Sequence, residues 1–114
     1  MPDKDLKERT KKIALDIIRL AASLPRTREA DIIDRQLLKA ETSVGANYRE
    51  ANRERSKAEF RAKIGIVEQE SDESLYWLEL LKASGIPKGR CLEELLIEAD
   101  ALVAIFTTIG KKSK

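Results

Sequence analysis

The stretch ADIIDRQLLKAETSVGANYREA, residues 30–51, decides the fold. Ala30, Ile33, Leu37, Ala40, Val44, Asn47 and Ala51 step alternately by three and four. That spacing is a heptad stripe along one helical face. Thr27 is a natural N-cap with Glu29 in the first turn, so a helix is expected over about 27–53. Gly45 lies inside it. A mid-helix glycine costs about 1 kcal/mol against alanine, which predicts a close helix–helix approach at that point.

Working outward, three more segments carry the same period. Ser56-Lys57-Ala58-Glu59 is a capping box, in which the serine hydroxyl takes an orphan N–H and the glutamate reaches back. It opens a helix over about 57–84 with the stripe Phe60, Ile64, Val67, Ser71, Ser74, Leu78 and Leu81, ended by Gly85 and Pro87. Upstream, Leu6, Ile13, Ile17, Leu20 and Leu24 define a helix over about 5–24, with Asp3 and Asp5 as caps or first-turn acids and Pro25 as the stop. Downstream, Leu92, Leu95, Ala99, Leu102, Phe106 and Ile109 define one over about 90–109, with Gly110 as its C-terminal signal. Four helices with three short connections predict an all-α, antiparallel up-down-up-down bundle, one domain over residues 1–114.

Two helices are more apolar than one bundle needs. From Asp5 to Leu24 ten of twenty residues are apolar, and from Leu92 to Ile109 twelve of eighteen. A bundle helix needs a stripe about 100° wide, and apolar residues beyond it call for a second surface. Helices one and four are therefore expected to join copies of the chain into a closed homo-oligomer, through Leu15, Ile18, Val103 and Ile105.

Composition excludes several chemistries. The 114 residues contain 22 Lys+Arg, 20 Asp+Glu, no histidine and one cysteine. Without histidine there is no Ser-His-Asp or Cys-His catalysis and no His-ligated zinc or di-iron centre. One cysteine allows no internal disulfide, and a lone Cys91 fits a reducing compartment. The longest apolar run, Ala101–Phe106, is far short of a membrane span, and MPDKDLKERTKK does not read as a signal peptide. These features predict a cytoplasmic protein without membrane contact. Net charge is only +2, yet residues 1–63 carry +5, residues 64–110 carry −6 and the tail +3.

Polar residues interrupt two inner faces. Ser43, Asn47 and Glu50 share a face of helix two, and Glu70, Ser71, Glu73 and Ser74 occupy adjacent rows of helix three. Buried polar groups need partners, so Asn47 is expected to bond across to helix three, and the cluster reads as a packing-register device. Glu70 and Glu73 at i, i+3 suit one shared cation. A second acidic pair is missing, because Glu98 and Asp100 at i, i+2 diverge around the helix. No metal, cofactor or enzymatic activity is expected.

Arg49, Arg53, Arg55, Lys57, Arg61 and Lys63 fall within fifteen residues at the helix two–three corner. They read as a phosphate-binding surface, or as a solvated face with local salt bridges to Glu50, Glu54 and Glu59. No aromatic residue alternates with them, so base stacking is not expected and any binding would be electrostatic.

The blocks Ser43-Val44-Gly45-Ala46-Asn47-Tyr48-Arg49-Glu50-Ala51, Ser56 with Phe60, and Glu70 to Leu81 resemble the bacterial four-helix bundle proteins encoded by intervening sequences in 23S ribosomal RNA genes. A related group is the accessory variability determinant of diversity-generating retroelements, which partners a reverse transcriptase and template RNA. The resemblance covers nearly the whole chain, although Gln69 stands where the family often has a basic residue. It implies a ring-shaped homopentamer of poorly defined biochemical role, with RNA or nucleic-acid binding expected; with the basic surface residues, the leading reading is a ring that binds RNA or an RNA–protein complex. The alternative is an adaptor ring that docks protein alone, such as a reverse transcriptase.

Overall fold

The computed structural model describes the backbone of residues 2–86 and 90–113 and the side chains of 5–86 and 91–113. It holds four helices, α1 (Pro2–Ala21), α2 (Arg28–Ala51), α3 (Lys57–Ser84) and α4 (Arg90–Lys112), and no strand among the described residues.

Local chemistry sets most helix ends. Pro2 suits the first position of α1, where its missing N–H is no loss. Thr27 caps α2 by accepting from the Ala30 N–H at 3.2 Å. Ser56 caps α3 by accepting from the Glu59 N–H at 3.1 Å. Gly85 ends α3 at φ 73°, a left-handed conformation that favours glycine. Pro87 and the Asp3 side chain lie outside the described residues.

Two ends differ from expectation. The α1 helix stops at Ala21 and not Leu24, because Ser23 and Pro25 turn the chain early and Ser23 Oγ donates to the Leu20 carbonyl. The α4 helix runs through Gly110 to Lys112. Gly110 is a packing position, not a stop: a Cβ there would fall on the Glu68 carboxylate of α3.

The connections dictate direction. A helix of 24 residues is about 36 Å long, whereas connections of five or six residues span at most about 18–22 Å. Successive helices therefore return beside one another. The packed neighbours are α1–α2, α2–α3 and α3–α4, and the square closes through α4–α1, its most sparsely contacted side. The resulting body measures 45 × 24 × 19 Å.

The core is built from the inner stripes. Ile13 and Ile17 of α1, Leu37 and Val44 of α2, Ile64, Val67, Leu78 and Leu81 of α3, and Leu102 and Phe106 of α4 are all buried. On α2 the buried set is Ala30, Leu37, Ala40, Glu41, Val44, Tyr48 and Ala51. Tyr48 thus takes the inward place expected for Asn47, and its ring stands 5.4 Å from that of Phe106, tilted by 54°. Gly45 faces Thr10 of α1, where an added Cβ would sit at an ordinary 3.5 Å. The expected close approach at Gly45 is thus a loose one.

Candidate nucleic-acid interface

An even number of antiparallel helices gathers three features at one end of the bundle: the start of α1, the α2–α3 corner and the end of α4. Contacts fix this assembly. Arg61 Nε donates to the Ser113 carbonyl at 2.8 Å, which ties the last turn of α4 to the first turns of α3. Lys63 Nζ reaches Glu50 Oε2 at 3.4 Å across α2 and α3. Lys7 and Lys11 of α1 line the same groove as Arg49 of α2.

The six basic residues at the corner are placed as follows. Arg49, Arg53, Arg55, Lys57 and Arg61 are exposed, and Lys63 is half-buried in its bridge to Glu50. Arg53, Arg55 and Lys57 make no ion pair among the described residues. Lys111 and Lys112 in the last turn of α4 add charge beside Arg61. The tail lysines, far away in sequence, are therefore part of the same cationic end. Lys114 lies outside the described residues.

The polar inner-face residues divide. Ser71 and Ser74 are buried. Ser43 and Asn47 are half-buried, and Asn47 Nδ2 donates to the carbonyl and hydroxyl of Ser43 at 2.9 and 3.0 Å. The expected bond from Asn47 to helix three is thus replaced by one within α2. Glu50 and Glu73 are exposed, not core, and Glu73 accepts from Trp77 Nε1 at 3.2 Å one turn away. Glu70 is half-buried; burial, then the nearby Glu73, raises its carboxyl, and Lys39 pulls it back. Among the described residues no three acidic or cysteine side chains form a metal-binding group.

The deepest charge in the bundle is Glu41 of α2, which the inner-face reading missed. It is only 2% exposed. Burial raises its carboxyl to about 7, the Ser74 hydroxyl pulls it down, and the Glu98 charge adds to the rise. Ser74 Oγ is itself buried and makes no well-formed hydrogen bond, although it lies close enough to act on Glu41. Glu98 is held by Arg9, whose Nε and Nη2 donate to its two oxygens at 2.9 and 2.7 Å. Thr10 satisfies its hydroxyl locally on the Leu6 carbonyl. A polar layer thus crosses all four helices, with Glu41 as its one carboxyl lacking a cation among the described residues. The signal was available: Leu37, Glu41, Val44 and Tyr48 step by four, three and four.

Of the expected interface residues, Leu15 and Ile18 are exposed, while Val103 and Ile105 are half-buried, with Ile105 packed against the core. No helix among the described residues is long and apolar enough to cross a membrane. Cys91 is exposed and unpaired.

Four packed helices with cationic side chains gathered at one end define a small, charge-segregated helical bundle. The chain belongs to the 23S rRNA-intervening sequence protein family, whose profile matches residues 3–108. It is similar to a solved protein from Bacteroides thetaiotaomicron, described as a protein of unknown function from the S23 ribosomal protein family. The two share 30% identity over 97% of this chain and 99% of the other, with a TM-score of 0.85. No curated protein matches the sequence.

Proposed function

We propose that this protein is a non-enzymatic homo-oligomeric scaffold that binds RNA through its basic end. The observation that carries this is the convergence of Arg53, Arg55, Lys57 and Arg61 with Lys111 and Lys112. Side chains from separate elements meet in one patch, and such patches follow a phosphate backbone. The aromatic residues favour backbone over base recognition: Tyr48 and Phe106 are buried, Phe60 is half-buried, and Tyr76 and Trp77 lie farther along α3. Among the described residues no exposed aromatic ring stands at the basic end.

The oligomer belongs to the same proposal. Leu15 and Ile18 are apolar side chains left in solvent on α1, and covering them takes a second surface. A closed ring, five-membered as the family resemblance implies, repeats the basic end once per subunit and multiplies weak phosphate contacts.

The test is binding of a structured RNA across a salt series. Affinity should fall steeply with salt, and Arg53→Glu with Lys57→Glu should weaken binding and flatten the slope by about 0.9 per lost contact. No binding at low salt, or binding unchanged in the double variant, rules the proposal out.

A further inference from the structure

The polar layer around Glu41 has a weak side, and that side is α1. Contacts of α1 with its two neighbours, α2 and α4, are together sparser than those of any other helix. A groove of about 510 Å³ opens on its α2 side and one of about 320 Å³ on its α4 side. Glu41 lines the first and Glu98 the second. Thr10 faces Gly45 of α2 across a gap that leaves room for a methyl group. Its hydroxyl turns back to the Leu6 carbonyl, so that proton is spent within α1. On the α3 side, Ser74 Oγ is buried beside Glu41 without a well-formed hydrogen bond.

The charged groups around Glu41 give its carboxylate little relief. On α1, Arg9 is engaged by Glu98, and Lys7, Glu8 and Lys11 line the groove. Arg49 of α2 lines it two turns along. On α3, Glu70 stands one turn from Ser74, and on α4 the nearby charge is Glu98, which opposes a second negative charge. A carboxylate buried without a cation regains stability when water reaches it. The bundle can admit water by unfolding whole or by opening at one element, and the least supported element opens at the smallest loss of contact.

We propose that α1 is a proton-controlled latch: it lies closed over the polar layer while Glu41 is protonated, and ionisation of Glu41 favours a form in which α1 lifts from α2 and α4 while those two stay packed on α3. The open form is a minor population, since lifting bares Leu6, Ile13, Ile17 and Leu20. Its direction with pH follows from burial. Glu41 titrates at about 7 inside the closed bundle and near 4.5 in water. The closed form therefore holds the proton more tightly, and the opening equilibrium rises about tenfold from pH 6 to pH 8.5. Lys7 and Lys11 ride on α1, so the latch also moves one corner of the cationic end. The latch stands on the polar layer alone and does not depend on RNA binding.

The test is hydrogen exchange of the unaltered chain at pH 6 and pH 8.5, expressed as protection factors so that the intrinsic pH dependence of amide exchange drops out. Amides of α1 around Ile13 and Ile17 should be less protected than those of α3 around Val67 and Leu78 at both values. They should lose about tenfold in protection between them. In Glu41→Gln that loss should shrink to less than about twofold, because no charge forms. A clamp separates local from global opening. A Cβ at Gly45 lies 3.7 Å from that of Thr10, within the span of about 3.5–4.5 Å that a disulfide bridges. Thr10→Cys with Gly45→Cys, in a Cys91→Ser chain, should when oxidised raise α1 protection at pH 8.5 to the level of α3, and reduction should return it. Protection of α1 equal to that of α3 in the unaltered chain at pH 8.5 overturns the latch. So does a tenfold loss that persists in Glu41→Gln, or α1 exchange that the oxidised clamp leaves unchanged.

Discussion

Arg9 of α1 and Glu98 of α4 face each other as a two-pronged pair, both nitrogens within 2.9 Å of a carboxylate oxygen. This clasp lies on the most sparsely contacted side of the bundle. Its side chains are about one-third exposed, so it is neither a free surface pair nor a fully buried one. The hydrogen bond to Glu98 holds the Arg9 guanidinium above its ordinary pKa, with Asp5 a smaller contributor.

Arg9→Ala should lower stability by about 1–2 kcal/mol, between the values for exposed and buried pairs. It leaves Glu98 unpaired beside Glu41. Arg9→Lys should recover only part of the loss, because a lysine cannot make the fork. Urea unfolding of the three proteins at pH 7 reads this directly.

Glu41 makes stability depend on pH in an uncommon direction. Its carboxyl is near 7 when folded and near 4.5 in an unfolded chain. The folded state binds the proton more tightly, so this contribution is complete below about pH 4.5 and is lost as pH rises through 7. The loss amounts to about 3 kcal/mol at pH 8, at about 1.4 kcal/mol per unit. Glu41→Gln keeps the shape without the charge. It should be more stable than the parent at pH 8 by a similar amount, and nearly equal to it at pH 4.5. Equal unfolding midpoints at pH 8 would exclude this account.

Three glycines should respond differently to alanine. At Gly65 nothing lies within 4 Å of an added Cβ, and at Gly45 the nearest atom is 3.5 Å away. Both substitutions should raise stability by up to about 1 kcal/mol through helix propensity. Gly85→Ala should lower it by about 1–2 kcal/mol, because φ there is 73°. Thermal melts of the three variants should give shifts of opposite sign.

Phe106→Ala should cost about 3–5 kcal/mol. The ring is fully buried and packs on Tyr48. Ile97→Ala, on the same helix but largely in solvent, should leave the unfolding midpoint of a dilute sample within about 0.5 kcal/mol of the parent. A large loss at Ile97 would contradict its placement.

The sequence made the helices legible because their stripes are long and their ends carry recognisable chemistry at Thr27, Ser56 and Gly85. The inner face of α2 was read less well. From a buried position the next inward place on a helix can lie three or four residues on, and the spacing alone does not choose. After Val44 the structure takes Tyr48, four residues on, and then returns to Ala51. Glu41 escaped for a different reason: its spacing places it inside, but its charge argues for the outside. The convergence of the tail lysines with Arg61 was out of reach, since only helix direction brings residue 113 beside residue 61.

Helix direction also has a practical side. Pro2, where α1 begins, and Lys112, where α4 ends, both stand at the cationic end. A purification tag or fluorescent reporter joined near either one will crowd Arg53, Lys57 and Arg61. The turn at residues 22–27, exposed at the opposite pole, is the place for a label that leaves the cationic end bare.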